Sequence, residues 1–367
     1  MHRISRHAVA ALAGLVLLLP AAGVGSAAGI GPGTGAAAAA TATRVADDPA
    51  RVVQEQRIDA RTLDLTVTSP EIDAPVAVRL LLPPSWSKTA TRTWPVLWLL
   101  HGGSGDHTDW TAHTHIEELA APRDVLVVLP QTSPCSGYSD WYNSGGGGPP
   151  AWETYLVGEL RPLLESQYRA GTERAVAGLS MGGLGAMKLA ALHPGMFRAV
   201  ASYSGAVSTL HLSLDGGLSG PDLVKGAGAG CHTDWRRIWG EPGFPFDTTD
   251  PTDLRRRSVW ERNDPLHQAA GLAGTALYIS YGDGTDAGTG WQWGDPPASP
   301  ARCTNPIAGG AERVEHLIHG MNQDMLVRLA QLGVPAAVCS YRGVHAWPYW
   351  ERELVFSFPG LMAAIGA

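Results

Sequence analysis

The chain has 367 residues, 44% hydrophobic and 17% charged, with a formal net charge of −7. That balance belongs to an ordinary globular protein with ample core material, and it argues against a disordered or fibrous chain. Mild acidity without a basic tract leaves no footing for nucleic acid or an anionic membrane surface as partner.

At the N-terminus, Arg3 and Arg6 precede an apolar run from Ala8 to Ala22, broken by Pro20 and followed by small residues. That is the order of a secretory signal. The run falls short of the ~20 residues a membrane span needs, so export is expected rather than stable membrane insertion. Residues 1–27 read as the signal peptide, with cleavage after Ala27 or Ala42. Residues 28–56 read as a low-complexity Gly/Ala leader. Folding is expected to begin near Arg57, and residues 57–367, which show no internal repeat, read as one catalytic domain, secreted to the cell envelope or beyond and monomeric.

Leu63–Thr68 and Ala74–Leu82 alternate as a β-hairpin would, with Pro83 and Pro84 stopping the second strand. Trp94–Leu100 is a continuous apolar run, as a buried central strand requires. It ends in His101-Gly102-Gly103-Ser104-Gly105, a glycine turn suited to carrying an oxyanion donor at Gly103. Val125–Pro130 reads as the next strand, residues 131–150 as a long loop, and Trp152–Tyr168 as a helix.

Glu173–Gly178 then enters Gly178-Leu179-Ser180-Met181-Gly182, and an Ala/Leu-rich helix leaves it. This is G-x-S-x-G at a strand-to-helix boundary, the nucleophile elbow of an α/β-hydrolase. The sharp turn lifts a serine hydroxyl clear of the sheet and aims the next amide, that of Met181, at a developing oxyanion. Phe197–Ser202 continues the sheet. Residues 209–264 show little period and read as an irregular lid. Ala276–Tyr281 is a strand leading to Asp283, and Ala311–Leu332 is a helix with Val314, Leu317, Ile318, Met321, Met325 and Leu329 on one face. Ala336–Tyr341 is the last strand, followed at once by His345, where this fold keeps its general base. Two carboxylates could complete the triad: Asp283, just after a strand, and Glu315, in the first turn of the long helix. The fold expected is an α/β-hydrolase, a mostly parallel central sheet with helices on both faces.

Six motifs in order carry a resemblance. They are Val128-Leu129-Pro130, Tyr138-Ser139-Asp140-Trp141-Tyr142, Trp152-Glu153-Thr154, Gly178-Leu179-Ser180-Met181, Trp260–Pro265 and His345–Trp350. Over roughly residues 60–365 the chain resembles the esterase D-type superfamily, and most of all its secreted antigen 85 mycolyltransferases. The resemblance implies a serine acyl-enzyme mechanism without metal or cofactor, and it implies Glu315 as the triad acid. It departs at the turn after Trp94–Leu100, where His101 and Ser104 stand in place of an acidic residue and an arginine that hold a sugar acceptor in that family.

The reading is therefore a secreted serine esterase acting on small-molecule, lipid or sugar esters. Ser180 is the expected nucleophile, His345 the base and Glu315 its orienting acid; the Gly103 and Met181 amides form the oxyanion hole; His101, Ser104, Asp140, Trp141 and Trp347 are expected to bind substrate. Acyl transfer to a sugar is one alternative, and a non-catalytic adhesion module on the same fold is another. His316 and His319, with His107, His113 and His115, lack any recognisable metal-ligand pattern and read as solvated. Four cysteines in an exported chain suggest two disulfides, with Cys231–Cys303 the first pairing to expect and Cys339 a candidate buried thiol.

Overall fold

The computed structural model describes residues 49–212, 217–242, 249–296, 299–307 and 309–367, all within one compact unit, Arg44–Ala367. The expected signal peptide and most of the leader lie outside the described residues.

Among the described residues nine strands form a single sheet: β1 (Arg51–Arg57), β2 (Thr62–Thr68), β3 (Val76–Leu81), β4 (Trp94–Leu100), β5 (Leu126–Pro130), β6 (Ala170–Leu179), β7 (Ala199–Tyr203), β8 (Ala276–Gly282) and β9 (Ala337–Tyr341). Their order is β1-β2-β3-β5-β4-β6-β7-β8-β9. From β5 to β9 neighbouring strands run parallel, and β1, β2 and β3 add an antiparallel edge. β1 starts at Arg51, ahead of the start expected near Arg57. It is an exposed edge strand of polar sequence, so the apolar alternation that marks a half-buried strand never appears in it.

The helices are α1 (Asp109–His113), α2 (Ile116–Ala120), α3 (Arg161–Tyr168), α4 (Met181–Leu192), α5 (Gly220–Gly230), α6 (Arg236–Trp239), α7 (Pro251–Asn263), α8 (Pro265–Gln268), α9 (Arg313–Leu332) and α10 (Trp347–Ile365). A π-helical stretch, Thr154–Leu160, leads into α3. Apolar faces of α3, α4 and α9 fill one side of the sheet; α1, α2 and α10 fill the other. Both faces of β4 are thus covered, which is why its sequence is apolar throughout.

Residues 209–264 are not irregular as expected: α5, α6 and α7 lie there. Only Trp260 and Asn263 are buried in α7, so it shows no apolar stripe, and its start is set by Asp250 accepting the Thr252 amide, 2.8 Å away, ahead of Pro251. α9 follows expectation. Glu312 caps it by accepting the amides of Val314 and Glu315, and Gly333 ends it at φ +66°.

A close backbone approach lies where α4 leaves β6. A Cβ on Gly182 would stand 2.2 Å from the Leu100 carbonyl oxygen and 2.6 Å from that of His101; one on Gly178 would stand 2.3 Å from Gly182. Backbone cannot yield as a flexible side chain does. Gly182→Ala should therefore destabilise the protein by about 3 kcal/mol, the upper range of overpacking, and urea unfolding measures it. A loss below about 1 kcal/mol would mean that the helix shifts freely.

Candidate active site

Ser180 sits at φ +52°, ψ −118° between β6 and α4, a conformation L-residues seldom adopt and one that elbows store as strain. Its amide is held by the Tyr203 carbonyl at 2.9 Å. Its hydroxyl lies 2.9 Å from His345 Nε2. The other ring nitrogen, Nδ1, lies 2.6 Å from Glu315 Oε2. A carboxylate only accepts, so Nδ1 carries the proton and Nε2 is the acceptor facing Ser180 O–H.

Of the two carboxylates the sequence offers, Glu315 is the one at the histidine. It is fully buried, and its second oxygen, Oε1, accepts from Ser204 Oγ at 2.7 Å and from the Gly282 amide. Ser204 in turn accepts from Trp350 Nε1 at 3.1 Å, and the Trp350 ring meets His345 edge-on at 4.8 Å between centroids. Asp283 has other work: its carboxylate takes the Thr285 amide, the Thr285 hydroxyl and the Gly343 amide, which ties the loop after β8 to the loop that bears His345.

Gly103 and Met181 line the same pocket as Ser180. Within the described residues no hydrogen bond takes up either amide, so both remain available to a substrate oxygen. The turn bearing Gly103 is held from behind. Ser104 N–H donates to Pro134 O at 3.1 Å, and Tyr138 O–H donates to His101 O at 2.9 Å.

Three of the expected substrate contacts are placed elsewhere. His101 is 1% exposed. Its Nδ1–H donates to Gly102 O at 2.7 Å, while Nε2 accepts the Thr132 amide at 3.0 Å. Burial drives its pKa down to about 4, so it is a neutral brace for the turn and has no group left for a ligand. Asp140 starts the helix beyond it, accepting the Thr154 amide and hydroxyl at 2.9 and 2.7 Å. Trp141 is buried and donates to Ser136 O at 3.2 Å. Ser104, by contrast, is exposed, and half-buried Trp347 opens α10 against Trp110, Trp350 and the face of His113.

Beside Ser180 lies an apolar pocket of about 100 Å³, walled by Leu223, Val224 and Ala227 of α5, by Ile238 and Trp239 of α6, and by Met321. Sequence reasoning missed two residues near it. Ser204 carries no motif. Lys188 sits in α4 with no exposure, its ammonium 3.2 Å from both Gly137 O and Asn263 Oδ1 and 3.9 Å from Glu153. Burial pushes its pKa down to about 8 against the pull of Glu153. A lone lysine inside an otherwise apolar helix was the available signal.

The cysteines are also paired differently from expectation. Cys303 is bonded to Cys339, and Cys135 and Cys231 carry free thiols. Cys339 points from β9 into a small cluster with Tyr341 and Tyr349, and Cys303 packs against the same cluster. Strand membership therefore did not keep Cys339 from bonding.

Comparison with known proteins agrees with the fold and class. The Esterase family model matches residues 69–361. An Ag85B of Mycobacterium leprae, named a diacylglycerol acyltransferase/mycolyltransferase, is 31% identical over 286 residues, which is 74% of this chain and 77% of that protein. Esterase Rv1288 of Mycobacterium tuberculosis is 36% identical over 165 residues, 43% of this chain and 35% of that protein. Among solved structures, MPT51 of Mycobacterium tuberculosis superposes with a TM-score of 0.60 at 20% identity, covering 82% of this chain and 97% of that one. An S-formylglutathione hydrolase of Agrobacterium tumefaciens does so with 0.58 at 15% identity, covering 86% and 99%.

Ser204→Ala removes one donor from the Glu315 carboxylate while leaving the Gly282 amide in place. A hydrogen bond to a charged group is worth about 1.5–3 kcal/mol, so kcat for ester cleavage should fall roughly tenfold to a hundredfold with KM nearly unchanged. Steady-state kinetics on a soluble ester reads both. A kcat within twofold of wild type would show that the hydroxyl does not hold the carboxylate.

Proposed function

The chain belongs to the Esterase family, and we propose that it is a secreted serine enzyme that cleaves carboxylic esters through an acyl-enzyme. The observation that carries this reading is the unbroken hydrogen-bonded line from Ser180 through His345 to buried Glu315. Ser180 Oγ attacks the acyl carbonyl as its proton passes to His345 Nε2. The carbonyl oxygen, now negative, accepts from the Gly103 and Met181 amides. His345 gives the proton to the leaving alcohol, Glu315 stabilising the imidazolium meanwhile without itself becoming protonated. Water or a second alcohol then takes the acyl group by the reverse sequence. No step calls for a metal or cofactor.

The apolar pocket takes the acyl chain. A water-sized group needs roughly 10–15 Å³ of such space, so about 100 Å³ has room for a short acyl group. Export is supported by the signal-like order of residues 1–27 and by the Cys303–Cys339 bond, since disulfides persist in oxidising compartments. Residues 57–367, with the edge strand β1 added, form the catalytic domain of this proposal.

Acyl transfer remains the second reading, favoured by the 31% identity to a named mycolyltransferase. Both outcomes share the acyl-enzyme, and only a held acceptor can outcompete water. At the two positions that would orient a sugar stand Ser104 and a buried, neutral His101, neither of which supplies a fixed charge. Hydrolysis should therefore dominate.

Ser180→Ala should lower ester turnover by on the order of 10³ or more, and a fluorophosphonate should label wild type but spare the variant. Wild-type protein that neither takes the label nor cleaves any ester would favour the adhesion reading. On an acyl series, butanoate should be turned over at least tenfold faster than hexadecanoate. With trehalose added at millimolar concentration, free acid should outweigh acyl-trehalose by mass; the opposite ratio would make the enzyme a transferase.

A further inference from the structure

We propose that Cys135 and Cys231 form a second disulfide, which fastens α5 to the loop behind the oxyanion turn and thereby limits the acyl chains the pocket admits. The limit on acyl chains rests on the acyl-pocket reading above; the bond itself does not.

The two thiols come from distant parts of the chain and meet at one place. Cys135 is buried in the loop after β5 and lines the pocket beside Ser180. Cys231 is the C-cap of α5, half-buried, its amide bonded to the Ala227 carbonyl at 3.1 Å. Cys135 and Ala227 line the same pocket, and Cys231 follows Ala227 by one helical turn. The Cys231 thiol interacts electrostatically with Cys135 and Ser133, and Ser133 Oγ lies 3.5 Å from Cys135 Sγ. Both side chains pack in the same apolar cluster.

The position of α5 makes the contact consequential. Its inner face, Leu223, Val224 and Ala227, is a wall of the pocket. Its first residue is already tied down, the Gly220 amide bonding His211 O at 2.8 Å, with no room for a Cβ against the Thr209 carbonyl. A covalent bond at Cys231 fixes the opposite end. The partner loop is itself anchored to the oxyanion turn through the Pro134 carbonyl and Ser104 amide. The bond would therefore hold the acyl wall and the oxyanion turn at one spacing. The Cys303–Cys339 bond lies in a separate cluster and does not compete for these thiols.

The chemistry balances with a disulfide oxidant, such as oxidised glutathione. One cysteine, as thiolate, attacks a sulfur of the oxidant and releases a first reduced thiol. The second cysteine attacks the mixed disulfide, forming the Cys135–Cys231 bond and releasing another. Two cysteines are oxidised, one disulfide is reduced, and the two protons end on the released thiols. Burial raises the Cys231 thiol pKa to about 12, so exchange in the folded protein is slow and the bond forms while the chain folds.

The test refolds the full reduced chain with oxidised and reduced glutathione, alkylates it, and digests it without reductant. Mass spectrometry should find Cys135 and Cys231 peptides joined, beside the Cys303–Cys339 pair as internal control. Recovery of both as alkylated or glutathionylated peptides, with Cys303–Cys339 joined, overturns the proposal. This map needs no variant. Compared with Cys231→Ser, the joined protein should melt about 5 °C higher or more and should show a butanoate-to-hexadecanoate preference at least tenfold greater. A joined pair with an unchanged chain-length preference would overturn the claim on specificity. Fluorophosphonate labelling of Ser180 in the same samples separates the two failures: labelled but unjoined protein sinks only the disulfide, whereas unlabelled protein sinks the serine-hydrolase reading.

Discussion

The reactive geometry depends on one backbone contact, that of Gly182 with the carbonyls ending β4. Sheet and helix can meet there only because position 182 lacks a side chain. With α4 seated so closely, Gly103, Ser180 and Met181 line one pocket. A bulkier residue would lift the helix and part Met181 from Gly103, even with Ser180, His345 and Glu315 intact. Tyr138, His101 and Thr132 secure the other side of the same junction through their hydrogen bonds to the turn. None of the three needs to touch substrate to matter. Preorganised donors act by costing nothing to reorganise during reaction, and that demands a stiff support behind them.

The acid is arranged with the same economy. A buried carboxylate without partners would take up a proton and cease to orient the histidine. Glu315 has three donors, His345 Nδ1, Ser204 Oγ and the Gly282 amide. Those come from the ends of β7 and β8 and from the loop after β9, so the carboxylate joins three parts of the sheet's C-terminal edge. Taking the acid from α9 leaves Asp283 free to bind the Thr285 and Gly343 amides. A carboxylate just after β8 is thus used to shape the histidine loop without contacting the histidine.

How much of this was legible follows from the range of the forces involved. The central strands, the elbow, α9 and His345 announce themselves within a few residues, because burial on both sheet faces and one apolar helix face write their periods into local sequence. β1 and α7 do not, being largely exposed. Asp140, Trp141 and His101 were expected at the substrate because short polar and aromatic motifs do not say which way a side chain points; each proves to brace the scaffold. Ser204 and Lys188 act through partners 35 or more residues away, and the Cys303–Cys339 pairing likewise depends on how a loop returns to β9. Such contacts exist only once the chain is folded.

The two halves of the site are built from different material, which bears on how such a family diversifies. Ser180, His345, Glu315, Gly103 and Met181, the groups of the proposed chemistry, all stand at or next to the ends of parallel strands or on helices packed on the sheet, where any displacement disturbs the core. Much of the wall of the apolar pocket belongs to α5 and α6, in a segment between β7 and β8 whose described residues form no strand. Changes there can alter the pocket at little cost to the sheet. The acceptor side varies by an equally local route: the turn after β4 carries a neutral, buried His101, so fixed charge can be added or withdrawn beyond it without disturbing Gly103. A family whose relatives are named both esterases and acyltransferases is the outcome such a division permits. On the proposed mechanism, members would share the acyl-enzyme and differ in what fills the pocket and what receives the acyl group.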